Sequence, residues 1–198
     1  MNANGEQKSA FTVQKNKITD AAGKCIISKG VNGSSIKDIQ DASGMGAGQI
    51  YRHFSSKMKI VESVVEKNVT EQCDILPVIY SAAERNISGS LYDILDSKGV
   101  LRILKLNTIL RVESMTHPEL KKTYVRNYQL IEREHMRLLS QSFPKLTCSE
   151  KERIMSLVDM FLFTWGGMDS VMIRSEFYKE NWVGNLWRKL IYGCNKQG

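Results

Sequence analysis

The residues best equipped for chemistry lie between Ser34 and Ile60, in the run SSIKDIQDASGMGAGQIYRHFSSKMKI. Gln49 offers an amide that can bond a base edge, Tyr51 a hydroxyl, His53 an imidazole, and Arg52 and Lys57 positive charge. That is the chemistry of gripping a polyanion, with no means of breaking bonds. Gly46, Ala47 and Gly48 are small enough to let a helix N-terminus approach a surface, where its free N–H groups suit phosphate. No HExxH, GxSxG or paired metal carboxylate with histidine occurs anywhere in the chain. Gly46 to Gln49 resembles a glycine loop superficially but lacks the lysine and the preceding strand of a phosphate loop. No catalytic residue and no cofactor are therefore expected. Cys25, Cys73, Cys148 and Cys194 form no CxxC pair, and with only three histidines no metal site is expected. The cysteines read as small apolar core residues kept reduced in a cytoplasm, with a redox-sensing thiol as the alternative.

Charge supports a polyanionic partner. Up to Ile60 there are nine Lys/Arg against four Asp/Glu; from Val61 onward there are nineteen against seventeen. The excess sits in the first third, on an otherwise near-neutral chain. A solvated basic surface that aids solubility is the alternative. The polar start from Met1 to Ala10 has no apolar signal segment, and no apolar run is long enough to span a membrane. A cytoplasmic protein is expected.

Helical spacing recurs along the chain, and alternating strand patterns are scarce. Ile18, Ala21, Ala22 and Cys25 fall on one face of a first helix over about 13–29, and Gly30 ends it. A short helix over 36–43 follows, with Ser34 or Ser35 as its cap and Ile36, Ile39 and Ala42 as its buried face. Gly44 turns the chain into a second short helix over 47–54. Two short helices at such a turn are helix-turn-helix geometry. Met45, Ile50 and Phe54 should hold the pair inward, leaving Ala47, Gly48, Gln49, Tyr51, Arg52 and His53 outward. A long helix, capped by Ser55 or Ser56, then carries Ile60, Val61, Val64, Val65, Val69, Cys73 and Leu76 and should be disturbed at Pro77. A loop with a short helical turn is expected over 86–99, then helices over 100–115, 119–142 (as one or two), 149–174 and about 179–194.

This segment resembles the DNA-binding domain of the TetR family of regulators. The likeness begins at Ile18-Thr19-Asp20-Ala21-Ala22, continues through Gly30 and Ser35-Ile36-Lys37-Asp38-Ile39, and ends at Tyr51-Arg52-His53-Phe54-Ser55-Ser56-Lys57. It covers about 45 residues, and its Tyr-x-His-Phe-x-x-Lys ending is the most specific part. The resemblance implies an all-α protein: an N-terminal three-helix helix-turn-helix domain over 13–60, after a disordered polar tail over 1–12, and a helical ligand-binding and dimerisation bundle over 61–198. It implies that Ser35 caps the second helix and touches phosphate, that Tyr51, His53 and Lys57 contact phosphate, and that Gln49 faces the bases. A glutamine there can bond adenine bidentately. Gly46 departs from the family's usual Ser cap, Ala47 from a polar residue, Gln40 from a small one and Met58 from Glu.

Further implications concern the second domain. Its last two helices would pair with their copies in a homodimer, through Phe163, Met172, Trp182, Leu186, Trp187 and Leu190. A small-molecule pocket would be lined by Met115, Tyr128, Met160, Phe161, Trp165 and Met168, suiting an apolar effector. Glu113, Arg102, Arg111 or His135 would supply a polar contact. The implied function is a repressor that binds a palindromic double-stranded DNA operator as a dimer and is released by a small molecule, with no membrane partner. A non-specific architectural DNA binder and a helical enzyme are the alternatives.

Overall fold

The computed structural model describes residues 3–84 and 93–167, and every described element is helical. In chain order these are α1 (Ala3–Gly33), α2 (Ile36–Ser43), α3 (Ala47–His53), α4 (Lys57–Glu84), α5 (Lys98–Ser114), α6 (Pro118–Ser142) and α7 (Cys148–Gly167). Two compact units result. One comprises Met1–Asn68 with Ile109–Val125; the other comprises Val69–Thr108 and the chain from Arg126 onward. α4, α5 and α6 each contribute to both.

In the first unit, Ile18, Ala21, Ala22, Cys25 and Ile26 of α1 are buried, as their spacing predicts. α1 extends further than its apolar stripe. It is helical from Ala3, so the segment expected to be a disordered tail is helical here instead. Gly30 interrupts the far end at φ 73°, a left-handed conformation that suits glycine. Ser34 Oγ donates to the Gly30 carbonyl at 2.7 Å, securing that turn.

α2 buries Ile39 and Ser43, with Ile36 half-buried and Ala42 exposed. Ala42 is therefore a correction to the expected core face. Ser43 takes the inward position because its hydroxyl accepts the Met45 N–H at 3.3 Å, inside the turn. Gly44, at φ 66°, caps α2 with its N–H on the Gln40 carbonyl. Met45, Ile50 and Phe54 are buried, and each such side chain stabilises the unit by roughly 1.5–3 kcal/mol. Ser56, rather than Ser55, caps α4, accepting the Lys59 N–H at 3.2 Å.

α4 buries Ile60, Val61, Val64, Val65, Val69 and Leu76, whereas Cys73 is only half-buried. It continues as one helix through Pro77, whose ring removes one backbone donor from the ladder. α6 begins at Pro118, a residue that lacks the N–H a first turn would leave unpaired, and continues unbroken to Ser142.

The second unit holds polar groups among its apolar side chains. Tyr80 on α4 and His135 on α6 are both buried and meet at 2.8 Å between Oη and Nδ1. Burial pushes the Tyr80 hydroxyl well above its usual range and lowers His135 to about 4. The pair therefore reads as neutral, joined by one hydrogen bond between the Tyr80 hydroxyl and Nδ1. Trp165 on α7 is fully buried and its indole N–H donates to the Leu95 carbonyl at 3.2 Å. Beside it, Gly166 brings α7 so close to α5 that a Cβ there would lie 2.4 Å from the Leu104 carbonyl oxygen.

Candidate nucleic-acid interface

α2 and α3 form the helix pair, and their caps are built from side chains on the suspected contact surface. Ser35 Oγ accepts the Asp38 N–H at 3.1 Å, and the Ser35 N–H donates to Asp38 Oδ2 at 2.7 Å. This is a reciprocal capping box. The Ser35 hydroxyl also donates to Asp38 Oδ2 at 2.6 Å. Lys29 pairs with the other Asp38 oxygen. The Lys29 bond, then the Ser35 bonds, hold the Asp38 carboxyl well below the ordinary carboxylate range. Lys29 and Asp38 carry no role in the sequence reading. The Ser-x-x-Asp spacing was the available signal for Asp38; no signal pointed to Lys29.

α3 buries Ile50 and closes at Phe54, also buried, with Lys15 Nζ over the Phe54 ring at 5.6 Å from its centroid. This inward anchoring leaves Gly46, Gly48, Gln49, Tyr51 and Arg52 exposed and Ala47, His53 and Lys57 half-exposed. Tyr51 is 54% exposed, large for an aromatic side chain in a packed unit. Tyr51, Arg52 and Lys57 make no hydrogen bond or ion pair with the described residues. Their polar ends are available to a partner outside the chain.

Besides Ser35, whose hydroxyl already donates to Asp38, two more expected contacts are engaged within the protein. His53 Nε2 lies 3.2 Å from Gln14 Oε1, and its ring stands 4.2 Å from the Phe11 ring, centroid to centroid. Its Nδ1 is buried without a partner. A phosphate contact through Nε2 requires release of Gln14. Gln49 is engaged too: its Oε1 accepts the Gly46 N–H at 3.0 Å. Gln14 and Phe11 lie on a stretch of α1 that shows no apolar periodicity, so sequence reasoning gave them no role.

The residues expected to line an effector pocket differ in burial. Trp165 and Phe161 are buried, their ring centroids 5.6 Å apart, and Tyr128 is half-buried. Met115 and Met160 are 71% and 60% exposed. On α7 the buried positions are Ile154, Val158, Phe161, Leu162 and Trp165, and Met160 falls on the exposed side between them. Of the possible polar contacts, His135 is buried and Arg102 pairs with Glu71 at 2.8 Å. Met168, Met172, Trp182, Leu186, Trp187 and Leu190 lie outside the described residues, and Phe163 is half-buried. Cys25 is buried and Cys148 exposed, so Cys148 is not the core residue expected. Among the described residues no group of His, Cys, Asp and Glu could hold a metal ion, and no helix is long and apolar enough to cross a membrane.

A tight turn between two short helices, with the second anchored by Ile50 and Phe54 and polar on its outer side, defines a helix-turn-helix protein. Residues 18–64 match the family model of bacterial regulatory proteins, tetR family. An uncharacterized HTH-type transcriptional regulator in the lacX 3'region of Lactococcus lactis subsp. lactis is 40% identical over 55 residues. That match spans 28% of this chain and 28% of the relative. The fold extends the likeness. Salmonella enterica GusR superposes with a TM-score of 0.67 at 16% identity, over 90% of this chain and 95% of that one. FadR from Bacillus subtilis, solved in complex with stearoyl-CoA, gives a TM-score of 0.62 at 18% identity, over 89% and 97%. At such identities the agreement is one of fold.

Proposed function

We propose that the chain is a cytoplasmic transcriptional repressor that binds a palindromic operator as a homodimer and leaves it when a small, apolar molecule binds the helical body. The observation that carries this reading is the outer side of α3. Tyr51 and Arg52 stand exposed without partners among the described residues, on a helix whose Ile50 is completely buried. A fixed helix with exposed polar ends suits a groove, and its neighbour Lys57 suits a flanking phosphate. The basic excess in the first third adds a sequence-independent pull toward DNA.

Two copies would place their recognition helices roughly 34–36 Å apart, one turn of duplex. An effector that favours another spacing weakens DNA binding by linkage. FadR from Bacillus subtilis, with its stearoyl-CoA, supports an effector with a long apolar part. The test is enrichment of a random duplex library by the full chain, footprinting of the selected sequence, and titration of the complex with stearoyl-CoA and a panel of hydrophobic dyes. A two-fold symmetric footprint is expected, with two chains per site and dissociation by at least one apolar compound. Equal affinity for every sequence would instead indicate an architectural DNA binder. Increased transcription from a reporter carrying the site would reverse the sign of regulation.

A further inference from the structure

The phosphate contact expected of His53 meets an obstacle within the protein. His53 Nε2 lies 3.2 Å from Gln14 Oε1. An amide oxygen only accepts, so the ring proton sits on Nε2 and is given to Gln14. The reverse arrangement, with the Gln14 amide turned to donate, would put that proton on Nδ1. Nδ1 is buried and has no partner among the described residues, and buried N–H groups are rarely left so. The ring is also held against Phe11, the centroids 4.2 Å apart. Gln14 is in the opposite condition. It is exposed, and its Nε2 makes no hydrogen bond with the described residues. With Oε1 turned to His53, the two Nε2 hydrogens lie at the other end of the amide. Phosphate oxygens only accept, so this end is the one that can meet them. The surroundings suit an anion. Lys15 follows Gln14, and its Nζ stands over the ring of Phe54, the residue after His53. Residues 11–17 and 48–59 hold Lys15, Lys17, Arg52, Lys57 and Lys59 and no acidic residue.

We propose that Gln14, and not His53, donates to the DNA backbone at this end of α3, through Nε2, and that His53 is a positioning residue whose Nε2–H holds the Gln14 amide oxygen. The inference rests on the DNA-binding reading above and adds α1 to the contact surface. A glutamine loose on a helix surface gives up rotamer freedom when it binds. One already held by an imidazole has given it up beforehand, so more of its hydrogen bond appears as affinity. For His53 to donate to phosphate itself, its single ring proton would have to leave the Gln14 oxygen. Donation by Gln14 keeps that bond and uses hydrogens that have no other acceptor among the described residues. The contact positions the protein and reads no bases, since the phosphate is the same at every step.

The test is a double-mutant cycle on the full chain: native, Gln14→Ala, His53→Phe and the two together. Phenylalanine keeps a ring against Phe11 but has no N–H. Each protein is titrated by anisotropy, at one salt concentration, on the duplex enriched from the random library and on a mixed-sequence duplex. Gln14→Ala should weaken binding to both by about tenfold per protomer. His53→Phe should weaken it by less, about threefold, and should cost nothing further once Gln14 is alanine. A methylphosphonate placed at each backbone position in turn should reveal one position per half-site where the native chain loses affinity and Gln14→Ala does not. The ring nitrogen shifts of His53 should show the proton on Nε2 in the free and the bound native chain. If His53 is itself the donor, Gln14→Ala leaves affinity unchanged or raises it, and His53→Phe costs the same in both backgrounds. Either result overturns the proposal and leaves the operator reading standing. If no sequence is enriched, the operator reading fails, and the cycle on the mixed-sequence duplex still decides the Gln14 contact. A native chain that binds neither duplex overturns both.

Discussion

Tyr51 and Lys57 differ in what they can contribute to a polyanion complex, although the polar ends of both have no partner among the described residues. Lys57 carries a full charge, so binding it to a phosphate releases a counterion. Lys57→Ala should weaken binding to every duplex and reduce the slope of log affinity against log salt by about 0.9 per protomer. Tyr51 is neutral, so Tyr51→Phe should weaken binding while leaving that slope in place. Anisotropy titrations at three salt concentrations separate the two, and an unchanged slope for Lys57→Ala removes its phosphate role. The types of these residues were legible in the sequence, as was their place on an outward side. Their neighbours' commitments were not. The Gln14 contact of His53 joins side chains 39 positions apart. The Gly46 to Gln49 bond depends on a rotamer, which no spacing dictates.

At the scale of elements, α5 and α7 approach each other closely at Gly166. A Cβ on Gly166 would stand 2.4 Å from the Leu104 carbonyl oxygen and 2.9 Å from Thr108 Oγ1. Thr108 Oγ1 also donates to the Phe163 carbonyl at 3.0 Å, so the two backbones are bridged as well as close. Alanine is favoured over glycine in a helix by up to about 1 kcal/mol. Overlap with a backbone atom outweighs that, since a rigid carbonyl cannot rotate away. Gly166→Ala should destabilise the protein by about 2 kcal/mol, read from chemical denaturation. A variant as stable as the native chain would mean the helices separate freely. The pattern of α2 was legible only in part, for a related reason. Apolar spacing favours Ala42 as core, but the hydrogen bond from Met45 to Ser43 decides which side turns inward.

For the molecule as a whole, pH and assembly give the sharpest expectations. His135 is buried, and that burial lowers its imidazole from an ordinary 6.5 to about 4, against a weaker opposite pull from Asp159 and Glu134. Between those values the unfolded chain takes up a proton that the folded chain refuses. Stability is therefore complete above about pH 6.5 and declines as pH falls toward 4, by on the order of 3 kcal/mol from this residue. His135→Gln should flatten that limb of a melting-temperature profile, and an equally steep limb would assign it to other groups. Assembly is tested at Trp187, outside the described residues. Trp187→Asp should give monomers in sedimentation and poor operator binding, whereas a persistent dimer rejects that interface.

The sequence alone determined the helical class, the helix-turn-helix and most of its core, with Ala42 the exception, because a 3.6-residue period, glycines at turns and caps at fixed offsets are local features. Only the tertiary structure decided that Met115 and Met160 face outward, that Tyr80 meets His135 inside, and that α7 touches α5 at Gly166. Those outcomes depend on which helix faces fill a shared interior first, a competition among distant segments that local spacing does not encode.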